Sequence, residues 1–168
     1  IASLVGSEMC IRDRVGQFEI PMNVNEQVFS YAYKNGVETV LNPAPANKPS
    51  DILLQNTSWF IPNEIEFEEI YGDIFNENNL LLFAKNVDTN VVVTLGEKGC
   101  AYIENNSVKI IKADSVKAID TTGAGDAFVG AFSFALASKL DIEECLKLAL
   151  KKATDSVTKK GTQSSYKN

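Results

Sequence analysis

The stretch Ala118-Ile119-Asp120-Thr121-Thr122-Gly123-Ala124-Gly125-Asp126-Ala127-Phe128 decides how this chain is read. A short β-prone run, Lys117 to Ile119, gives way to two glycines around a small residue and then to an apolar segment predicted as helix to about Lys139. Such a turn leaves backbone N–H groups bare at a helix N-terminus, where orphan donors and the helix dipole favour an anion such as phosphate. Asp126 falls in the first helical turn beside that site. The dipole favours its ionised form, and it is the candidate general base. Taken alone, the same turn also suits a plain strand-to-helix connection with Asp126 as a capping acid.

Upstream, apolar residues at 24, 28, 31 and 32 predict a helix over about 24–35, with Asn23 and Glu26 as a capping-box variant and Gly36 ending it. Val37 to Leu41 reads as a strand stopped by Asn42-Pro43-Ala44-Pro45-Ala46, where two prolines forbid both helix and ladder. Ser50-Asp51 opens a short helix, Trp59 to Ile61 is a strand, and Pro62-Asn63 leads into an acidic helix, Glu64 to Tyr71. Leu80 to Val87 is helical and Val91 to Leu95 is the clearest strand, ending at Gly96. Ala101–Glu104 and Val108–Ile111 flank an Asn105-Asn106 turn as a hairpin. Asp141 with Glu144 opens a last helix, to about Lys160. Strands alternating with helices indicate an α/β sandwich with a mostly parallel sheet.

Composition narrows the chemistry. The chain has 168 residues, 45% hydrophobic and 23% charged, with a net charge of −6. This is an ordinary globular balance with room for one sizeable core. No basic cluster offers a nucleic-acid footprint, and no apolar run approaches the ~20 residues of a membrane helix. Cys10, Cys100 and Cys145 form neither a disulfide framework nor a C-x-x-C pattern, so a reducing, cytoplasmic setting is expected. There is no histidine. Histidine-based triads and metal sites are excluded, leaving acid–base work to carboxylates, Lys or Tyr.

Six stretches, in order along the chain, carry a resemblance: Gln17-Phe18-Glu19-Ile20-Pro21; Asn42 to Ala46; Pro62-Asn63-Glu64-Ile65-Glu66, an N-x-x-E element; Val93-Thr94-Leu95-Gly96-Glu97-Lys98-Gly99; the D-T-T-G-A-G-D-A-F run from Asp120 to Phe128; and Thr158 to Gln163. From about Gln17 to Tyr166 the chain thereby resembles the ribokinase-like (PfkB) family of sugar kinases. The resemblance implies a three-layer α/β sandwich, incomplete, lacking the family's N-terminal strands and lid. Residues 15–168 would be the C-terminal part of that kinase domain. Residues 1–14 look like a non-native leader of the kind produced by sequencing-adapter read-through, and are left out of the fold reading.

The implied activity is transfer of the γ-phosphoryl group of ATP to the terminal hydroxymethyl of a sugar, with ribose favoured by the Gln17 and Asn42 stretches. Asp126 would take the hydroxyl proton and also bind the sugar, while Gly123, Ala124 and Gly125 would form the anion hole. Asn63 and Glu66 would organise Mg²⁺ largely through water, and Thr94 and Gly96 would line the nucleotide's path. Glu19 would touch the sugar from a strand. Asp120, backbone carbonyls around Gly161 and the Ser165 hydroxyl would form a monovalent-cation site for K⁺. The family dimerises through its lid, so a homodimeric parent and an inactive isolated fragment are implied. Lys151-Lys152 and Thr154-Asp155 stand where the family packs adenine, which predicts large polar side chains in that pocket. The alternatives are a kinase of fructose, a sugar acid or a nucleoside, and a non-catalytic protein that binds nucleotide or sugar.

Overall fold

The computed structural model describes residues 13–162. Among them, six strands form one sheet in chain order: β1 (Asp13–Gly16), β2 (Glu38–Leu41), β3 (Trp59–Phe60), β4 (Asn90–Thr94), β5 (Cys100–Glu104) and β6 (Ser107–Ile111). β1 to β4 pair in parallel, and β4, β5 and β6 pair antiparallel. Six helices cover the faces: α1 (Met22–Lys34), α2 (Asp51–Gln55), α3 (Glu64–Tyr71), α4 (Glu77–Val87), α5 (Ala124–Ala137) and α6 (Ile142–Val157).

The two-residue period of the strands builds the layers. Leu41, Phe60, Val91 and Val93 point to one face, against Phe29, Leu53, Phe67, Leu80 and Phe83 of α1 to α4. Val40, Ile61, Val92 and Tyr102 point to the other, against Phe128, Phe132, Leu146 and Ala149 of α5 and α6. The fold is therefore a three-layer α/β sandwich with a mixed, mostly parallel sheet. Trp59 meets Phe132 edge-on at 5.2 Å, a contact worth about 0.5–1.5 kcal/mol beyond its area.

Local signals place most boundaries. The Ser50 side chain accepts from Leu53 N at the start of α2, and Asn63 and Glu66 form a reciprocal capping box on α3. Asp141 accepts from Glu144 N at α6, and Asn105 and Asn106 both take positive φ in the hairpin turn. Four expectations change. Strand β1 begins at Asp13, so Asp13 and Arg14 of the stretch left out of the fold reading pair with Glu38 and Thr39. Helix α1 starts at Met22 behind Pro21 with no side-chain cap, and Glu26 instead accepts the Ser50 hydroxyl. Helix α4 starts at Glu77, three residues before Leu80, because Asn76 caps it. Lys117 to Ile119 is not a strand, since the Ile119 and Asp120 N–H groups donate to the Val157 carbonyl at the end of α6.

The parallel register sets up the site. The chain leaves the carboxyl ends of β1, β2, β3 and β4 at Gln17, Asn42, Ile61 and Leu95, all at one edge of the sheet, the side where α/β sheets bind ligands.

Candidate active site

The approach to α5 is pinned before the helix begins. Asp120 Oδ1 accepts from Thr122 N at 3.0 Å and Oδ2 from Gly161 N at 3.1 Å. These backbone donors, Thr122 first, hold the carboxyl below its usual range. Gly123 occupies the N-cap at φ 79°, a left-handed conformation that favours glycine. Ala124 N reaches Thr121 O at 3.3 Å, while the N–H groups of Gly125 and Asp126 meet no acceptor among the described residues. A methyl group added at Gly125 would enter open space. The helix start thus offers an accessible backbone cradle to an anion.

Asp126, the third residue of α5, is exposed. Its Oδ1 accepts from Gln17 Nε2 at 3.1 Å, and the same nitrogen donates to Asn42 Oδ1 at 2.9 Å. Asn42, buried at the end of β2, donates its Nδ2 to Ile61 O at 2.8 Å. The sequence by itself points to no role for Gln17 or Asn42. The signal was present only as their place in the Gln17–Pro21 and Asn42–Ala46 stretches.

Beside this cradle lies an open cleft of about 710 Å³, lined by Thr94, Gly96, Ala124 and Gly125 among others. Helix α6 presents Leu150, Ala153, Thr154 and Val157 to it, at helical spacing. Lys151, Lys152 and Asp155 are exposed and do not line it, which corrects the expectation of large polar side chains in the pocket. Gly99 closes the floor at φ 106°, where a Cβ would stand 1.9 Å from Ile111 O.

Asn63 is joined to β4 by a parallel bridge to Thr94, with Thr94 N donating to Pro62 O at 3.0 Å. Lys98 and Glu64 add an exposed ion pair at 3.7 Å across the same junction. Asn63 Oδ1 and Glu66 Oε2 are both engaged in the capping box, at 2.8 Å each. Glu66 is buried, and burial raises its carboxyl above the usual 4.5 despite the Asn63 N–H. Among the described residues no three acidic or cysteine side chains converge on a metal position. The Glu66 carboxylate and the Asn63 amide are hard oxygen groups of the kind a largely hydrated Mg²⁺ would take.

The family model for pfkB family carbohydrate kinases matches residues 9–168. The chain belongs to the pfkB family of carbohydrate kinases. Within the family it is 41% identical over 155 residues to the ribokinase of Haemophilus influenzae, covering 89% of this chain and 50% of that protein. It is 36% identical over 156 residues to the deoxyribokinase of Salmonella typhi, covering 89% of this chain and 51% of that protein. The chain spans about half the length of these relatives. Among solved structures, the ribokinase of Arabidopsis thaliana complexed with ribose and ATP is similar at a TM-score of 0.84 and 28% identity, covering 91% of this chain and 52% of that one. Thermotoga maritima ribokinase is similar at 0.81 and 31%, with coverages of 91% and 52%.

Glu19 sits in the exposed turn after β1 rather than on a strand, because pairing ends at Gly16. Gly161 N donates to Asp120 Oδ2, which brings together two of the residues assigned to a monovalent-cation site. Ser165 lies outside the described residues. No helix among the described residues is long and apolar enough to cross a membrane.

Proposed function

We propose that the complete protein carrying this sequence transfers the γ-phosphoryl group of ATP to the terminal hydroxymethyl of a sugar, ribose giving ribose 5-phosphate. The observation that carries the reading is the placement of Asp126 beside two unpartnered backbone N–H groups at the mouth of a 710 Å³ cleft. The cleft takes the nucleotide along Thr94 and Gly96. Leu150, Ala153 and Val157 offer an apolar wall to the base, and Thr154 a single polar group. The Gly123–Gly125 turn receives the transferring phosphoryl oxygens, where each donor of such a hole is worth about 10²–10³ in rate. Asp126 takes the proton of the attacking hydroxyl, a contribution of about 10²–10⁴. Glu19, in the turn beyond Gln17, contacts the sugar.

Mg²⁺ bound with the nucleotide would neutralise phosphate charge. Glu66, organised by Asn63, would hold its hydration shell. A K⁺ near Asp120 would meet a carboxylate whose two oxygens already accept N–H bonds, from Thr122 and Gly161. Because Asp126 is open to solvent here, the 168-residue chain by itself is expected to give no turnover, since water is not excluded from the phosphoryl group. The ribokinase at 41% identity supports ribose, and the deoxyribokinase at 36% makes 2-deoxyribose the sugar to compare with it. The test is ADP release by the complete protein with ribose, 2-deoxyribose, fructose and a nucleoside in turn. Highest kcat/KM on ribose is expected, and no sugar-dependent ADP release with any of them would refute the activity.

A further inference from the structure

The orientation of two amides fixes that of a carboxylate. Asn42 Nδ2 donates to the Ile61 carbonyl at 2.8 Å, an acceptor that cannot donate, so Asn42 Oδ1 faces the opposite way. Only a donor can meet that oxygen, and Gln17 Nε2 does so at 2.9 Å. An amide nitrogen carries two hydrogens. With one committed to Asn42, the other is directed at Asp126 Oδ1, 3.1 Å away.

Gln17 is itself held from behind. Its carbonyl accepts from Asn25 Nδ2 at 2.7 Å, and Asn25 is buried in α1. The Asn42 backbone N–H donates to Gly16 O at 3.0 Å, and Phe18 N to Ala44 O at 2.8 Å. A Cβ at Gly16 would stand 2.8 Å from Asn25 Oδ1 and 2.9 Å from Phe29, so the strand end reaches this position only because residue 16 is glycine. The last link of a chain anchored in the core is therefore a hydrogen bond to an exposed carboxylate, across 109 residues of sequence.

We propose that Gln17 is a positioning residue for phosphoryl transfer: it tethers Asp126 through Oδ1, leaving Oδ2 for the substrate hydroxyl. The proposal rests on the reading of Asp126 as general base. Fixing one oxygen fixes the direction of the other, and misplacing a reacting group by about 1 Å can cost about 10²-fold in rate.

The test uses the complete protein with Gln17→Met, which keeps the stem but has no donor, and Gln17→Glu, which keeps the length and turns a carboxylate toward Asp126 and Asn42 Oδ1. Melting temperatures establish that each variant folds. If Gln17→Met does not, Gln17→Glu alone carries the test. The expected result is a kcat lower by about 10- to 100-fold for Gln17→Met, and lower still for Gln17→Glu, with KM for ATP within about twofold of wild type. In an Asp126→Asn background, Gln17→Met should cause no further loss, because the two residues act as a unit. Wild-type kcat in folded Gln17 variants while Asp126→Asn is inactive would overturn the proposal and leave the base reading intact. So would a full multiplicative loss in the double variant, or a rise in KM for ATP that accounts for the whole effect. Normal turnover by Asp126→Asn alone would remove the base reading and the proposal with it.

Discussion

Gly125→Ala separates the fold of the α5 start from its function. Gly125 is the second residue of α5, its φ is not positive, and a Cβ there meets nothing within 4 Å. Nothing in the packing requires glycine. Alanine in place of glycine favours a helix interior by about 1 kcal/mol, and we take about half of that for a first turn. For a domain of this size the gain corresponds to a melting temperature about 1–2 °C higher. Gly125 lines the cleft, and the same methyl group would crowd the unpartnered N–H groups of Gly125 and Asp126, where the proposed function brings the phosphoryl oxygens. Losing access to one such donor costs about 10²–10³ in turnover. The assay pairs a thermal melt with steady-state ADP release in the complete protein. An unchanged turnover in a folded variant would refute the claim that phosphate approaches the backbone at Gly125. A lowered melting temperature would refute the packing argument instead.

Gly99→Ala should behave in the opposite way: φ is 106° and the new Cβ would lie 1.9 Å from Ile111 O, so the main chain of β6 must move. A loss of about 3 kcal/mol or more is expected in urea unfolding, and a loss under about 1 would contradict the geometry. Glu66→Gln tests the buried carboxylate. Burial lifts the folded-state value of Glu66 above 4.5, so the associated stability is fully present below about pH 4.5 and is lost as pH rises through the folded value. The amide still accepts the Asn63 N–H, so the variant should melt higher at pH 7 and depend less on pH above 4.5, with a weaker Mg²⁺ dependence of ATP binding. A lower melting temperature at pH 7 would contradict this.

What the sequence made legible was whatever its own neighbours determine. Ser50, Asn63 with Glu66, and Asp141 satisfy backbone N–H groups three residues away, and Asn105-Asn106 supplies two positive-φ residues to one turn. The alternation of Val91, Val92 and Val93 between two cores follows from strand period alone. What was not legible depends on distant partners. Asp13 and Arg14 show no apolar period, yet they pair because β2 offers them a parallel neighbour. Ile119 is β-prone, but its N–H donates to the Val157 carbonyl at the end of α6. Lys151 and Lys152 lie between cleft-lining positions in sequence, and helical spacing turns them outward. In the site, the Asp120–Phe128 run indicated Asp126 and the glycine turn, whereas the Gln17–Asn42 support, 25 residues apart, emerges only when the ends of β1 and β2 lie side by side.

The central claim is that Asp126 takes the proton of the attacking sugar hydroxyl at the N-terminus of α5. Its most direct test is single-turnover phosphoryl transfer from ATP to ribose in the complete protein, comparing wild type with Asp126→Asn. The amide can still occupy the first helical turn, so ATP affinity should stay within a few-fold of wild type. The transfer rate should fall by about 10²–10⁴. An Asp126→Asn protein that binds ATP and transfers its phosphoryl group at the wild-type rate would contradict the account.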